Sequence, residues 1–188
     1  MLALLFPGQG SQRPGMGAPW QGHPSWRLVA SLSEGSGADI AMLLVEADAE
    51  TLRATANAQI AAFAMSLVIL DAARGVGLDL DVVSAVAGHS LGEYTALVAA
   101  GVLTPEEGAR LVAARGLAMQ RAADSRPGTM AAVLGLEMGQ IEDACSRLDE
   151  VWVANDNAPG QVVISGSVEG VEAGSDAAKH LGAKRVMA

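Results

Sequence analysis

Five consecutive residues, Gly88-His89-Ser90-Leu91-Gly92, set a hydroxyl between two glycines in the G-x-S-x-G pattern. The pattern suits a nucleophile elbow, in which an apolar strand enters, a helix leaves, and the glycines allow a turn sharp enough to push the serine out of the sheet. Both flanks agree: residues 82–87 form an apolar run, and the residues after Gly92 favour helix. Ser90 then sits at a helix N-terminus, where the dipole and free N–H groups stabilise developing negative charge. An ordinary N-cap serine between turn glycines has the same five letters, so the flanking elements carry the argument.

Arg115 is the second informative residue. It lies in a stretch, 104–123, whose Leu111, Val112, Ala118, Met119 and Ala122 share one face at helical spacing, while Arg110 and Arg121 point elsewhere. An arginine within an apolar face needs an anionic partner, because an unpaired buried charge is too costly. Two partners fit: a structural carboxylate such as Glu93, or a substrate carboxylate gripped in bidentate fashion. Spacing leaves both open.

A serine nucleophile also needs a base, most often histidine. The chain has His23, His89 and His180. His89 adjoins Ser90 and diverges from it on a sharp turn, His23 lies in a polar loop, and His180 ends a predicted helix. None is a good base by position. The glycine-rich loop 7–17 fails both nucleotide-binding templates: Arg13 stands where G-x-G-x-x-G needs its third glycine, and Met16-Gly17 where a P-loop needs Lys-Ser/Thr. It reads as a strand-end loop able to aim a backbone N–H at a site. No metal is expected, since C-x-x-C and H-E-x-x-H are absent and His89 with Glu93 is a lone i,i+4 pair. Cys145 reads as a core thiol.

The elements needed to position these groups are legible in outline. Residues 2–6 and 82–87 read as buried strands, and residues 57–74, 92–100 and 104–123 as helices. Residues 18–50 give little beyond a helical stretch at 40–45. After Gly128 the order becomes strand 130–136, helix 138–148, strands 151–154 and 161–165, helix 168–181 and strand 184–187. That β-α-β-β-α-β order is ferredoxin-like. The expected division is an α/β domain over residues 1–127 and a small α+β subdomain over 128–188.

Composition bounds the partners. With 188 residues, 51% hydrophobic and 18% charged, the chain can bury a core and is not disordered. A net charge of -9 argues against a nucleic-acid surface. The longest apolar stretch, 60–70, is short of the roughly 20 residues of a membrane helix, so no membrane partner is expected. The N-terminus lacks a secretory n-region, and one cysteine fits a reducing cytoplasm.

Taken together, Phe6-Pro7-Gly8-Gln9-Gly10-Ser11-Gln12, Thr55-Ala56-Asn57-Ala58-Gln59, Gly88-His89-Ser90-Leu91-Gly92-Glu93-Tyr94, Arg115-Gly116 with Met119-Gln120, and residues 155–166 from Asn155-Asp156-Asn157 onward resemble the malonyl-CoA:acyl carrier protein transacylase family. The resemblance runs in the family's order across nearly the whole chain. It implies an α/β hydrolase-like large domain with an inserted ferredoxin-like subdomain. It further implies an acyltransferase in which Ser90 takes malonyl from malonyl-CoA as an ester and passes it to the phosphopantetheine thiol of acyl carrier protein. By the same resemblance Gln9 and Leu91 supply oxyanion-hole N–H groups and Arg115 pairs with the malonyl carboxylate. Gln59, His89, Asn155 and Asn157 match positions near the substrate pocket. No cofactor is implied beyond malonyl-CoA as substrate.

Two departures stand out: Ile60 replaces a common proline, and residues 17–50 are short. The resemblance also puts the catalytic histidine, and the rest of the large domain, in a segment beyond residue 188. The sequence is therefore expected to be part of a longer protein and to expose apolar sheet and helix faces. A serine hydrolase or thioesterase, or a non-catalytic protein lacking the base, are the competing readings. Carrier proteins of this kind are acidic, so docking to this acidic chain would need a basic patch, with Arg110 and Arg121 or Lys184 and Arg185 as candidates.

Overall fold

The apolar run Leu2–Phe6 forms strand β1. It pairs in parallel with β2, Val83–Gly88, in a two-stranded sheet whose register runs from Leu2 opposite Val83 to Phe6 opposite Gly88. A computed structural model describes residues 2–187 of the chain, which fall into two compact units divided between Arg121 and Ala122.

In the first unit β1 is followed by short 3-10 turns, then by α1, Leu28–Ser36, and α2, Ile40–Val45. The helical stretch expected at 40–45 is α2, while α1 and the 3-10 turns were not expected, being too short for their periodicity to register. Asp39 caps α2 by accepting from the Met42 N–H at 3.0 Å. Helix α3, Thr55–Gly75, is the centre of the core. Every residue from 58 to 68 is buried, so its apolar side chains surround the axis instead of forming a stripe. Phe63, Leu67 and Val68 pack there with Leu32, Ile40, Leu44, Leu52, Leu91 and Val112. By length and composition α3 could cross a membrane, but 72% of its most apolar window is buried in the protein, as in a core helix.

Helix α4, Gly92–Ala99, follows β2, and α5, Pro105–Ser125, follows α4. Thr104 and Glu107 close a reciprocal cap at the start of α5: the Thr104 N–H donates to Glu107 Oε2 at 2.9 Å, and the Glu107 N–H donates to Thr104 Oγ1 at 3.2 Å. Thr104→Ala should cost about 1 kcal/mol in a denaturant midpoint measurement. The hydrogen bonds from Thr104 hold the Glu107 carboxyl below its ordinary pKa. Its contribution is thus complete above the unfolded value and fades as pH falls through the lower folded value. The stability gap between wild type and Thr104→Ala should narrow in acid; a gap that widens there would refute this assignment.

The sequence placed Leu111, Val112, Ala118, Met119 and Ala122 on one apolar face of α5, and of these Val112 is buried. The face that is buried runs through Gly108, Ala109, Val112 and Gly116, and Leu111 and Met119 are largely exposed. Small residues explain the difference. A Cβ at Gly108 would lie 2.6 Å from the Phe63 ring and one at Gly116 2.9 Å from the Ala56 Cα, so backbone contact sets the face.

The second unit contains β3, Thr129–Leu134, α6, Met138–Cys145, β4, Val151–Ala158, β5, Gln161–Gly166, α7, Val168–His180, and β6, Arg185–Met187. Its sheet order is β4-β5-β3-β6 with every neighbour antiparallel, the arrangement expected of a ferredoxin-like unit. Val133, Ile141, Cys145, Val162, Ile164 and Val171 form its core. Burial pushes the Cys145 thiol above its ordinary pKa, which suits a packing role.

Two boundaries moved. Residues 155–158, expected in a loop, continue β4 opposite Val163, Val162 and Gln161 through two register shifts, because strand pairing outweighs the turn preference of Asn and Asp. The division between units falls at Arg121/Ala122 and not at Pro127/Gly128, since the last turn of α5 and Arg126, which pairs with Glu150, belong with the second unit. The first unit leaves apolar side chains in the open around its small sheet, with Leu5 78% and Val82 60% exposed. That agrees with the exposed faces expected from the sequence, and parallel sheets are ordinarily covered on both faces.

Candidate active site

The two parallel strands bring their C-terminal ends together, and the chain turns sharply there. The His89 N–H donates to the Phe6 carbonyl at 3.1 Å, tying the turn to the end of β1. Ser90 follows at φ 53°, a left-handed conformation that a non-glycine residue adopts only when its surroundings force it. Gly92 then opens α4, and the Glu93 N–H turns back to the Ser90 carbonyl at 3.2 Å. This is the strand–turn–helix context that the G-x-S-x-G pattern called for.

Both glycines are required by contact. A Cβ on Gly88 would lie 1.9 Å from the Gly92 carbonyl carbon, and one on Gly92 would lie 2.3 Å from the Phe6 oxygen. Neither neighbour can move without dismantling the elbow. Gly92→Ala should therefore lose about 3 kcal/mol or more. Gly139→Ala serves as the control, because a Cβ there meets nothing within 4 Å. Urea unfolding of both variants checks the account; equal midpoints would contradict it.

Arg115 reaches the elbow from α5. Its Nη2 donates to Ser90 Oγ at 2.8 Å, and its Nη1 donates to Gln59 Oε1 at 2.5 Å. The guanidinium carbon also lies 5.9 Å from the centre of the Tyr94 ring, within cation–π range. Glu93, the structural partner considered from the sequence, forms no recorded ion pair with it among the described residues. Gln59 is fully buried on α3, and its Nε2 lies 3.5 Å from Gln9 Oε1 and 3.2 Å from Met119 Sδ. Gln9 belongs to the loop after β1, and Leu91, fully buried, caps α4. The first unit thus gathers Gln9, Gln59, Ser90, Leu91 and Arg115, with His89 contributing its backbone to the turn.

Asn155 and Asn157 lie on β4 of the second unit, Asn155 opposite Val163. The histidines outside the elbow have local partners. His23 Nδ1 accepts from the Ser25 N–H at 3.2 Å, and His180 Nδ1 lies 2.7 Å from the Asp176 carbonyl oxygen. Tyr94 and Met119, named in the sequence only as members of the matching segments and of the α5 face, touch this cluster directly, Tyr94 beside the Arg115 guanidinium and Met119 through its sulfur against Gln59. Met119 stands one helical turn after Arg115, and that i,i+4 spacing was the available signal.

Comparison with known proteins follows the same lines. The acyl transferase domain family matches residues 3–188. The malonyl CoA-acyl carrier protein transacylase of Bacillus subtilis (strain 168) is 41% identical over 192 residues, covering 99% of this chain and 60% of the relative. Its counterpart in Escherichia coli (strain K12) is 40% identical over 193 residues, covering 99% and 61%. Among solved structures, a malonyl-transacylase in complex with its type II PKS acyl-carrier protein superposes with a TM-score of 0.90 at 40% identity, covering 99% of this chain and 61% of that one. The transacylase of Coxiella burnetii gives a TM-score of 0.91 at 37% identity, with coverages of 99% and 60%. The chain therefore spans about three-fifths of the length of these relatives.

Proposed function

The chain belongs to the acyl transferase domain family, and from that premise we propose that it serves malonyl transfer, from malonyl-CoA to the phosphopantetheine thiol of an acyl carrier protein through an ester on Ser90. One observation carries the reading: the Arg115 guanidinium lies 2.8 Å from the Ser90 hydroxyl. A cation that close to a nucleophile suits an acyl group whose own carboxylate is separated from the reacting carbonyl by a single methylene. Malonyl is that group. A carboxylate held by Arg115 brings the thioester carbonyl beside Ser90 Oγ, and binding becomes orientation.

The chemistry then runs in two matched halves. Ser90 Oγ attacks the thioester carbon and its proton passes to a general base. The tetrahedral oxyanion faces the backbone N–H groups of Gln9 and Leu91, the latter at the positive end of α4. The C–S bond breaks, and coenzyme A leaves as the thiol after recovering the proton from the base. The carrier's thiol repeats the sequence in reverse and restores the Ser90 hydroxyl. Each acyl bond broken supplies the acyl group for the next, so no cofactor enters. The base is assigned, on resemblance alone, to a histidine in the part of the relatives that this chain does not match. His89 is assigned to the pocket on the same ground. The cytoplasm is the proposed location, supported by the lone cysteine.

The competing hydrolytic reading differs in its product. The full-length enzyme, mixed with malonyl-CoA and holo carrier protein, is expected to yield malonyl-carrier with little free malonate. Free malonate without carrier acylation would assign the protein to the hydrolases.

A further inference from the structure

Gln59 is a fully buried polar side chain on the core helix α3, and each of its polar atoms is engaged by another part of the site. Its carbonyl accepts from Arg115 Nη1 at 2.5 Å; its amide nitrogen lies 3.2 Å from Met119 Sδ and 3.5 Å from Gln9 Oε1. That set fixes which way the amide points. Turned over, it would press its NH2 against the guanidinium, donor against donor, and offer its oxygen to the Met119 sulfur, which donates nothing. A continuous line of side chains therefore runs from Gln9 through Gln59 and Arg115 to Ser90.

The choice of amide has an electrostatic consequence. A glutamate at this position would reach Arg115 equally well, but as a buried anion it would neutralise the guanidinium. A glutamine orients the guanidinium through a neutral oxygen and leaves its charge intact. A buried apolar residue of similar volume would leave the charge but remove the tether. We propose that Gln59 is a specificity-determining positioning residue: it aims Arg115 without discharging it, so that a carboxylate-bearing acyl group is selected over a neutral one. This rests on the reading of Arg115 given under Proposed function, and it separates Gln59 from any direct contact with the acyl group.

The test compares malonyl-CoA with acetyl-CoA as acyl donors to the full-length enzyme, by the rate of Ser90 ester formation followed by intact mass. For Gln59→Glu, kcat/KM for malonyl-CoA is expected to fall about 100-fold and that for acetyl-CoA about threefold or less, so the preference collapses. For Gln59→Met, which keeps volume and neutrality, KM for malonyl-CoA should rise about tenfold with little change in kcat. An unchanged malonyl-to-acetyl ratio in Gln59→Glu would overturn the proposal, as would an equal loss on both donors, which marks a merely structural role. Should Gln59→Glu fail to fold, a Gln59→Met enzyme with wild-type KM for malonyl-CoA overturns it instead. A wild-type enzyme that forms no ester at Ser90 would defeat the reading of the site itself. A wild-type enzyme that does, beside an unchanged ratio in the variants, defeats only the role given to Gln59.

Discussion

Ser90→Ala should abolish malonyl transfer, lowering kcat by at least about 10⁴-fold, while leaving the fold intact. The hydroxyl lost is the one that Arg115 touches at 2.8 Å, and no other hydroxyl or thiol of the elbow stands in its place. The lone cysteine cannot substitute, because it is buried in the core of the second unit. Stability should change by about 1 kcal/mol or less, since the side chain is small and exposed. A companion variant sharpens the point. Ser90 holds φ 53°, and Ser90→Gly relieves that backbone, so it should be inactive yet more stable by about 1 kcal/mol. Activity surviving in either variant would remove Ser90 from the chemistry.

The second large effect concerns Arg115. Arg115→Ala should cost about 3 kcal/mol with malonyl-CoA, roughly 100-fold in kcat/KM, and far less with acetyl-CoA. The difference arises because only the malonyl donor carries a carboxylate for the guanidinium to hold. Arg115→Lys should recover a fraction of the loss. An ammonium restores the charge, but it lacks the planar fork that reaches Gln59 Oε1 and Ser90 Oγ from two different nitrogens. Steady-state kinetics with both donors checks this. Equal losses on malonyl-CoA and acetyl-CoA would mean that Arg115 holds the elbow together and does not read the acyl group.

How much of this was legible beforehand depends on range along the chain. The elbow was legible because its requirements are local: two glycines, an apolar strand and a helix within a few residues. The ferredoxin-like unit was legible because β-α-β-β-α-β order already restricts the topology. Arg115 was singled out by position on a helix, yet of the face it was assigned to, Leu111, Val112, Ala118, Met119 and Ala122, only Val112 is buried. The structure packs α5 through Gly108, Ala109, Val112 and Gly116 instead. Glycines contribute nothing to an apolar stripe, so a face built on them escapes periodicity. The Gln59 amide was legible only as part of a resemblance. Its partners lie 50, 56 and 60 residues away in sequence, and no pattern within α3 indicates that a glutamine there meets an arginine. Within residues 18–50 only the helical stretch at 40–45 was legible, and it is α2, whereas α1 and the 3-10 turns around it are short pieces whose identity is set by what they pack against.

The most direct measurement of the central claim is the site and identity of the acyl-enzyme. The full-length enzyme should be mixed with malonyl-CoA alone, quenched in acid and digested, and its peptides weighed. The account predicts one malonyl ester, on the peptide containing Gly88-His89-Ser90-Leu91-Gly92, discharged when holo carrier protein is added before the quench. No ester, or an ester that stays in place in Ser90→Ala, would contradict it.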